Sequence, residues 1–212
     1  MIAIIDYKAG NLKSVERALK KLGSPCRITQ DKEEILHSDR IIFPGVGAAG
    51  KAMADLRHLG LDKVLRHELE ANKPILGICL GAQIILERSE ENNAQCLAFI
   101  KGDVKLFAQP LLSEKNERLK IPHMGWNSIS LLKRHPVFEG IAPADEFYFV
   151  HAYYPRPVSD EYVIGTTRYG IEFPSVIGYN NLIAVQFHPE KSGRAGLRLL
   201  KNFCTWDGRY VE

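Results

Sequence analysis

The 212-residue sequence has no long apolar run, little net charge and few cysteines, and each absence excludes a class of protein. No apolar stretch approaches the roughly 18–20 residues that a membrane-spanning helix needs. The 28 basic residues exceed the 25 acidic ones by only three, too weak a bias to indicate a nucleic-acid partner. The four cysteines form no Cys-x-x-Cys pair, and the first residues lack the basic segment of a targeting peptide. We therefore expect free thiols in a reducing cytoplasm.

What remains is an ordinary globular composition, with 45% hydrophobic and 25% charged residues. A chain of this length can bury a large core. Because the sequence shows no convincing linker, internal repeat or low-complexity segment, we expect a single domain over residues 1–212.

The first half of the sequence alternates strand-like and helical patterns. Short apolar runs predict strands at 2–6, 26–29, 40–43 and 74–79. Apolar residues at helical spacing predict helices at 12–22, about two helices within 48–72, and one at 81–88. This β-α order predicts a parallel sheet with helices on both faces.

The second half is rich in Val, Ile, Tyr and Phe, which favour strands. The strand-like runs lie near 100–107, 127–132, 146–153, 162–168, 175–179 and 183–187, before a closing helix at 193–204. The pair Asn180-Asn181 predicts a hairpin turn, whereas 122–127 reads as a rigid turn that carries an aromatic residue. The predicted class is α/β, a three-layer, mostly parallel open sheet flanked by helices, with an added antiparallel part.

The sharpest chemical signal is the segment Gly77–Gly81, which reads Gly-Ile-Cys-Leu-Gly. It follows an apolar strand and precedes a helix, the context of a nucleophile elbow. A sharp strand-to-helix turn crowds its neighbours, so glycines are needed on both flanks. Cys79 would project at a helix N-terminus, where the dipole and free N–H groups favour a thiolate. The alternative is a buried structural cysteine at a tight turn.

A nucleophilic cysteine needs a base, and His188 is the best candidate among seven histidines. It follows the apolar run Ile183–Phe187, so a parallel sheet would place it at the same edge as Cys79. Strand alternation would point His188 and Glu190 to the same side, and the carboxylate can hold the required imidazole tautomer. The alternative is a surface histidine beside a solvated glutamate.

The segment Pro44–Gly47 ends the third predicted strand with two glycines. Such a backbone can turn an N–H group toward a developing oxyanion, together with the N–H of Leu80. The alternative is an ordinary turn. Cys79, His188 and Glu190 are residue types that can bind a metal ion. Their spacing matches no metal-binding motif, so we expect neither a metal nor a cofactor.

These motifs together resemble the triad-type (class I) glutamine amidotransferases. The resemblance rests on Gly77–Gln83 followed by His188–Glu190, and it covers residue 2 to about residue 205. Within that family, segments 4–12, 43–47 and 122–127 are similar to the glutaminase subunits that supply ammonia to a cyclase in histidine biosynthesis.

The resemblance implies that Cys79 attacks the carboxamide of glutamine, with His188 as base and Glu190 as its orienting group. It implies an oxyanion hole formed by the N–H groups of Leu80 and of Val46 or Gly47. The residues that it implies for the glutamine site, several through backbone atoms, are Gly47, Gln83, Glu91, His151, Ala152 and Tyr153. Ala152 stands where relatives more often have Ser or Thr, which removes a side-chain hydroxyl from that position.

The resemblance also implies a protein partner, a (β/α)8-barrel cyclase subunit that receives the ammonia within a heterodimer. The residues that match its interface are Asn11, Trp126, Tyr148 and Lys191. The oxyanion strand would form fully only when the partner carries its ligand. No nucleic acid or membrane is expected.

Three other functions stay open from the sequence. One is another class I amidotransferase, such as the glutaminase of pyridoxal phosphate synthesis, although its N-terminal signature differs from segment 6–12. A second is a non-catalytic binding subunit of the same fold. A third is a cysteine hydrolase that acts on a different amide or ester.

Overall fold

The computed structural model describes residues 1–8 and 10–209. Six α-helices and fourteen strands lie within this part of the chain. The helices are Leu12–Lys21 (α1), Lys32–Leu36 (α2), Ala49–Leu59 (α3), Leu61–Glu70 (α4), Leu80–Ile84 (α5) and Gly193–Thr205 (α6). The strands are Ile2–Ile5 (β1), Cys26–Thr29 (β2), Arg40–Gly45 (β3), Ile75–Cys79 (β4), Arg88–Ser89 (β5), Ala94–Gln95 (β6), Gly102–Leu106 (β7), His123–Ser128 (β8), Ser130–Leu131 (β9), Glu146–His151 (β10), Tyr153–Pro157 (β11), Val163–Tyr169 (β12), Ile171–Tyr179 (β13) and Leu182–Val185 (β14).

An eight-stranded sheet in the order β2-β1-β3-β4-β14-β13-β12-β9 forms the middle of the fold. The pairings from β2 to β14 are parallel, and those from β14 to β9 are antiparallel. The predicted fold class is therefore confirmed, including its antiparallel addition. The Asn180-Asn181 turn joins β13 to β14 as predicted.

Apolar residues on both faces of the parallel strands explain the three layers. Along β1, Ile2 and Ile4 belong to one buried cluster, whereas Ala3 and Ile5 belong to the other, because successive side chains point to opposite faces. Helices α1 and α6 cover the first face, and α3 and α4 cover the second. None of the helices in the described ranges is both long and apolar enough to cross a membrane.

Two smaller sheets extend the molecule beside the main one. Strands β11, β7, β5 and β6 form one of them, and the antiparallel pair β8 and β10 forms the other. Strand β8 occupies the segment that was predicted to be a turn, so that prediction is wrong. The reason is a continuous ladder in which His123 pairs with His151 and Trp126 pairs with Tyr148.

The helix after Cys79 is shorter than predicted: it ends at Ile84 rather than near residue 88. The carbonyl groups of Ile84 and Ile85 accept hydrogen bonds from the segment 97–100 instead of continuing the helix. Arg88 then lies in β5. The single domain expected over 1–212 stays a prediction, and Ala9 and residues 210–212 lie outside the described residues.

Candidate active site

Cys79 lies at the strained turn between β4 and α5. Its backbone angles, φ 53° and ψ −107°, are unfavourable for a residue with a side chain. A Cβ atom at Gly81 would lie 2.0 Å from the carbonyl oxygen of Phe43, and one at Gly77 would lie 3.0 Å from Cβ of Ala184. The two glycines are therefore required by contacts on both sides of the elbow, as the sequence predicted.

His188 reaches Cys79 because β14 pairs in parallel with β4, with Val185 opposite Ile78. The sequence therefore places the histidine just past the strand end, at the edge where β4 delivers the cysteine. The His188 backbone N–H donates to the carbonyl of Tyr148 at 2.9 Å. This bond fixes the point at which the chain leaves the sheet.

Glu190 accepts a hydrogen bond from Nδ1 of His188 at 2.8 Å, and both side chains are buried. The predicted contact is present, but strand alternation is the wrong reason for it. Residues Pro189–Lys191 form a 3-10 turn, and the Ser192 hydroxyl donates to the His188 carbonyl at 2.6 Å to close that turn. The imidazole Nε2 is the nitrogen left for Cys79.

The electrostatics of the site favour a protonated His188. Burial alone would lower its pKa, but the nearby Cys79 sulfur and the hydrogen-bonded Glu190 carboxylate outweigh burial and raise the pKa to about 9. The Asn11 side-chain amide donates to the same Glu190 oxygen at 2.5 Å. Asn11, which the family resemblance assigned to the partner interface, thus contacts the buried carboxylate that holds His188.

This pKa predicts how stability depends on pH. The unfolded histidine titrates near 6.5 and the folded one near 9, so its contribution is fully present below pH 6.5 and is lost as the pH rises toward 9. We expect the difference in unfolding free energy between wild type and His188→Gln to decrease over that interval. Urea denaturation of both proteins from about pH 6 to about pH 9.5 measures it. A constant or increasing difference would contradict the ion pair.

The segment after β3 lies beside the elbow, where Gly45 pairs with Cys79 across the strands. A Cβ atom at Gly45 would lie 2.0 Å from the Tyr7 hydroxyl, so any larger residue here would force the buried Tyr7 ring to move. Gly47 has φ +100°, and it lines an open cavity of about 170 Å³ together with Tyr7 and Val46. The structure thus brings Val46, Gly47 and the start of α5 to one edge of the sheet.

Most of the residues implied for the glutamine site also converge near this edge. The Tyr153 carbonyl accepts hydrogen bonds from Gln83 Nε2 at 3.0 Å and from His151 Nδ1 at 2.7 Å. Ala152 lies between His151 and Tyr153. Glu91 accepts from the backbone N–H of Ala49 at 2.7 Å, close to Gly47 in the chain. Burial, followed by the nearby charges of Glu91 and Glu90, raises the pKa of the Tyr153 hydroxyl.

Sequence reasoning missed Gln186, whose fully buried side chain donates to the Cys79 sulfur at 3.7 Å. It is the one polar residue within the apolar run Ile183–Phe187, and that break in pattern is the signal that could have found it. It also missed the hydrogen bond at 3.2 Å between the buried rings of His123 and His151. In the described ranges, no cluster of three or more His, Cys, Asp or Glu residues could hold a metal ion.

The remaining residues assigned to a partner interface lie close together: Trp126 on β8 is exposed, Tyr148 on β10 is half-buried, and Lys191 follows in the 3-10 turn. The rings of Trp126 and Tyr148 lie 6.1 Å apart, and the Lys191 ammonium lies 5.8 Å from the Tyr148 ring centre. The Trp126 side chain is 52% exposed, and Met124, two residues earlier on the same strand, is 62% exposed. Apolar side chains this exposed on one strand are typical of a contact surface.

Comparison with known proteins identifies the class that this fold and site define. The glutamine amidotransferase class-I family matches residues 3–206, and the chain belongs to that family. The sequence is 54% identical to imidazole glycerol phosphate synthase subunit HisH of Nitratidesulfovibrio vulgaris, over 97% of each chain. It is 44% identical to subunit HisH 1 of Pseudomonas aeruginosa, over 99% of this chain and 98% of that one.

A solved glutamine amidotransferase structure has the same fold. It superposes with a TM-score of 0.72 at 20% identity and covers 96% of this chain and 97% of its own. The chain is accordingly a glutamine amidotransferase, and the sequence-based expectation of that class is confirmed.

Proposed function

We propose that this chain is the glutaminase subunit of imidazole glycerol phosphate synthase in histidine biosynthesis. It hydrolyses L-glutamine to glutamate and ammonia and passes the ammonia to a cyclase subunit. The observation that carries the chemistry is Cys79 on a strained elbow beside His188, which Glu190 holds through a 2.8 Å hydrogen bond. The pathway rests on the similarity to HisH subunits over nearly the whole chain.

The thiolate of Cys79 attacks the side-chain carboxamide carbon of glutamine, and a carbon–sulfur bond forms as the carbonyl electrons move to oxygen. His188, protonated by the thiol, gives its proton to the amide nitrogen, and ammonia leaves. Water then attacks the γ-glutamyl thioester, with His188 accepting its proton, and releases glutamate and the free thiol. Glu190 keeps the imidazole oriented throughout and stabilises its charge.

The negative oxygen of each tetrahedral intermediate is held by backbone N–H groups. The N–H of Leu80, at the start of α5, supplies one donor, and the N–H of Val46 or Gly47 supplies the other. The φ of +100° at Gly47 supports this role, since it gives the segment a backbone conformation that residues with side chains rarely adopt.

The glutamine substrate binds along the same edge of the sheet. The residues that line the glutamine site are Gly47, Gln83, Glu91, His151, Ala152 and Tyr153. The buried ring of His151 and the amide of Gln83 both bind the Tyr153 carbonyl, which supports positioning through the backbone of 151–153 rather than through the His151 ring itself. Glu91 accepts a hydrogen bond from the Ala49 backbone N–H, beside the loop that carries Gly47, which supports its place in the same site.

The partner is the (β/α)8-barrel cyclase subunit, which forms a heterodimer with this chain in the cytoplasm. Ammonia is mostly protonated at neutral pH and then lacks nucleophilicity, so a shielded path to the second active site preserves it. The residues that contact the partner, or lie next to residues that contact it, are Trp126, Tyr148, Lys191 and Asn11. The contact between Asn11 and Glu190 links that surface to the triad, which supports activation by the partner.

Glutamate release from glutamine, measured for the chain alone and then with the barrel and its ribotide ligand, tests this function. We expect low activity alone and a large increase with the liganded barrel. Trp126→Ala should weaken binding of the barrel by roughly 30-fold, because a tryptophan that becomes buried at the centre of an interface is often a binding hot spot. The same substitution should leave the activity of the isolated chain unchanged.

High activity without the barrel would support the proposed glutamine hydrolysis but contradict activation by the partner. A folded chain that is inactive under both conditions would overturn the proposal and favour a binding subunit. A matched substitution at Val158, which is exposed but follows β11 of another sheet, controls for the loss of any surface apolar group.

A further inference from the structure

A chain of buried hydrogen bonds leads from the main chain to the nucleophile. Gln186 is fully buried, and its Nε2 atom lies 3.7 Å from the sulfur of Cys79. Its Oε1 atom accepts from Nε2 of Gln83 at 3.0 Å. The same Nε2 of Gln83 donates to the carbonyl oxygen of Tyr153, also at 3.0 Å. Two side-chain amides thus connect a backbone carbonyl to the sulfur atom.

The carbonyl at the far end fixes the direction of every bond in this chain. A backbone carbonyl only accepts, so Gln83 must present its NH2 group to Tyr153. The second N–H of that group then meets the oxygen of Gln186, which turns the NH2 group of Gln186 toward the sulfur of Cys79. Reversing either amide would place two oxygens or two NH2 groups in contact. The network therefore assigns an N–H donor, rather than an oxygen, to the sulfur.

Two buried histidines hold the same carbonyl. His151 donates from Nδ1 to Tyr153, so its Nε2 accepts from Nδ1 of His123 at 3.2 Å. The remaining nitrogen of His123 accepts from the amide of Asn127 at 3.4 Å. Burial lowers the pKa of His123 to about 4 and that of His151 to about 3, so both rings are neutral and keep these roles at neutral pH.

We propose that Gln186 is a positioning residue for the reaction, donating a hydrogen bond to the Cys79 thiolate and holding its sulfur beside His188. The proposal rests on the proposed function for its substrate, glutamine. A donor that faces sulfur stabilises the thiolate over the thiol, because hydrogen bonds to charged acceptors are stronger than those to neutral ones. It also restricts rotation of a small side chain that must approach a carbonyl carbon along one direction.

Two substitutions separate hydrogen bonding from packing. Gln186→Glu has nearly the same shape but turns a carboxylate oxygen toward the sulfur, whereas Gln186→Met fills similar space with no donor. We expect the pH midpoint for iodoacetamide alkylation of Cys79, followed by peptide mass spectrometry, to rise by about one unit in Gln186→Met. It should rise further in Gln186→Glu, since the carboxylate repels the thiolate. In both, kcat should fall about tenfold or more while KM for glutamine changes less than about threefold.

Ser175→Ala is the matched control. Ser175 is buried in the same sheet, its carbonyl accepts from the Gln186 backbone N–H, and its hydroxyl accepts from Thr167 at 2.8 Å rather than contacting Cys79. This variant should leave the alkylation midpoint unchanged. A purely structural role for Gln186 predicts the reverse ranking, with the isosteric Gln186→Glu closest to wild type.

The proposal is overturned if the folded variants keep the wild-type alkylation midpoint. If neither variant folds, side-chain amide NMR of the unsubstituted chain decides. The chemical shifts of the Gln186 NH2 protons should change as Cys79 ionises, and this change should be absent in Cys79→Ala. Chemical shifts that stay constant through the titration would overturn the proposal. Alkylation uses no glutamine, so a chain inactive on glutamine whose midpoint still responds to Gln186 would contradict the proposed function alone.

Discussion

Replacing Cys79 with alanine is expected to abolish glutamate release, by at least about 10⁴-fold, while the chain stays folded. The thioester cannot form without the sulfur atom. Hydrolysis would then depend on His188 activating water directly, without a covalent intermediate. The side chain is small and only 6% exposed, so its removal leaves a minor cavity and costs little stability. Release of glutamate by the purified variant, beside its thermal denaturation curve, provides the measurement.

Cys96→Ala is the matched control for that loss. Burial raises the pKa of the Cys96 thiol to about 11, so this thiol stays protonated and unreactive at neutral pH. Its replacement should leave glutamate release and covalent labelling by a glutamine-analogue electrophile unchanged. Residual turnover in Cys79→Ala above a few per cent, or equal labelling of both variants, would refute Cys79 as the nucleophile.

Gly81→Ala is expected to destabilise the fold by about 3 kcal/mol or more, because overpacking against rigid backbone cannot be relieved by rotating a side chain. The added methyl carbon would lie 2.0 Å from the Phe43 carbonyl oxygen. Either β3 or the elbow must move, and both carry groups of the proposed active site. We therefore expect activity to fall even in whatever fraction remains folded. Urea denaturation and glutamate release per folded molecule measure the two effects.

Gly23→Ala separates this contact from the ordinary cost of losing a glycine. Gly23 has φ +70° after α1, and an added Cβ atom there would meet nothing within 4 Å. Its substitution should cost only about 1 kcal/mol, the strain of a left-handed backbone, and leave activity intact. Equal destabilisation by the two substitutions would show that the elbow tolerates the extra carbon.

The fold and the placement of Cys79, His188 and Glu190 at one edge of the sheet could be predicted from sequence, because the signals for them are local. An apolar strand, a glycine-flanked cysteine and a helix lie next to one another at Gly77–Gly81, and the parallel order of strands brings His188 to the same edge. The turn at Pro189–Lys191 was not accessible, since a 3-10 turn and an extended strand both allow contact between residues two apart.

Other features depend on partners that lie far away in the sequence. The end of α5 at Ile84 is set by hydrogen bonds to residues 97–100, which no pattern near residue 84 records. Likewise, a glutamine within an apolar strand indicates only that its buried amide must have hydrogen-bond partners. That the partners of Gln186 are Gln83 and Cys79 becomes visible only once β14 lies beside β4.

The adjacency of β4 and β14 also has a consequence for how the enzyme is made. These neighbours in the sheet are separated by nearly half of the chain, so their pairing is a slow, long-range event compared with formation of the first four strands. During synthesis, Cys79 leaves the ribosome well before His188, its proposed base, has been made. An incomplete chain should therefore consume no glutamine, and the first ammonia should be released only by a molecule whose last strand is in place.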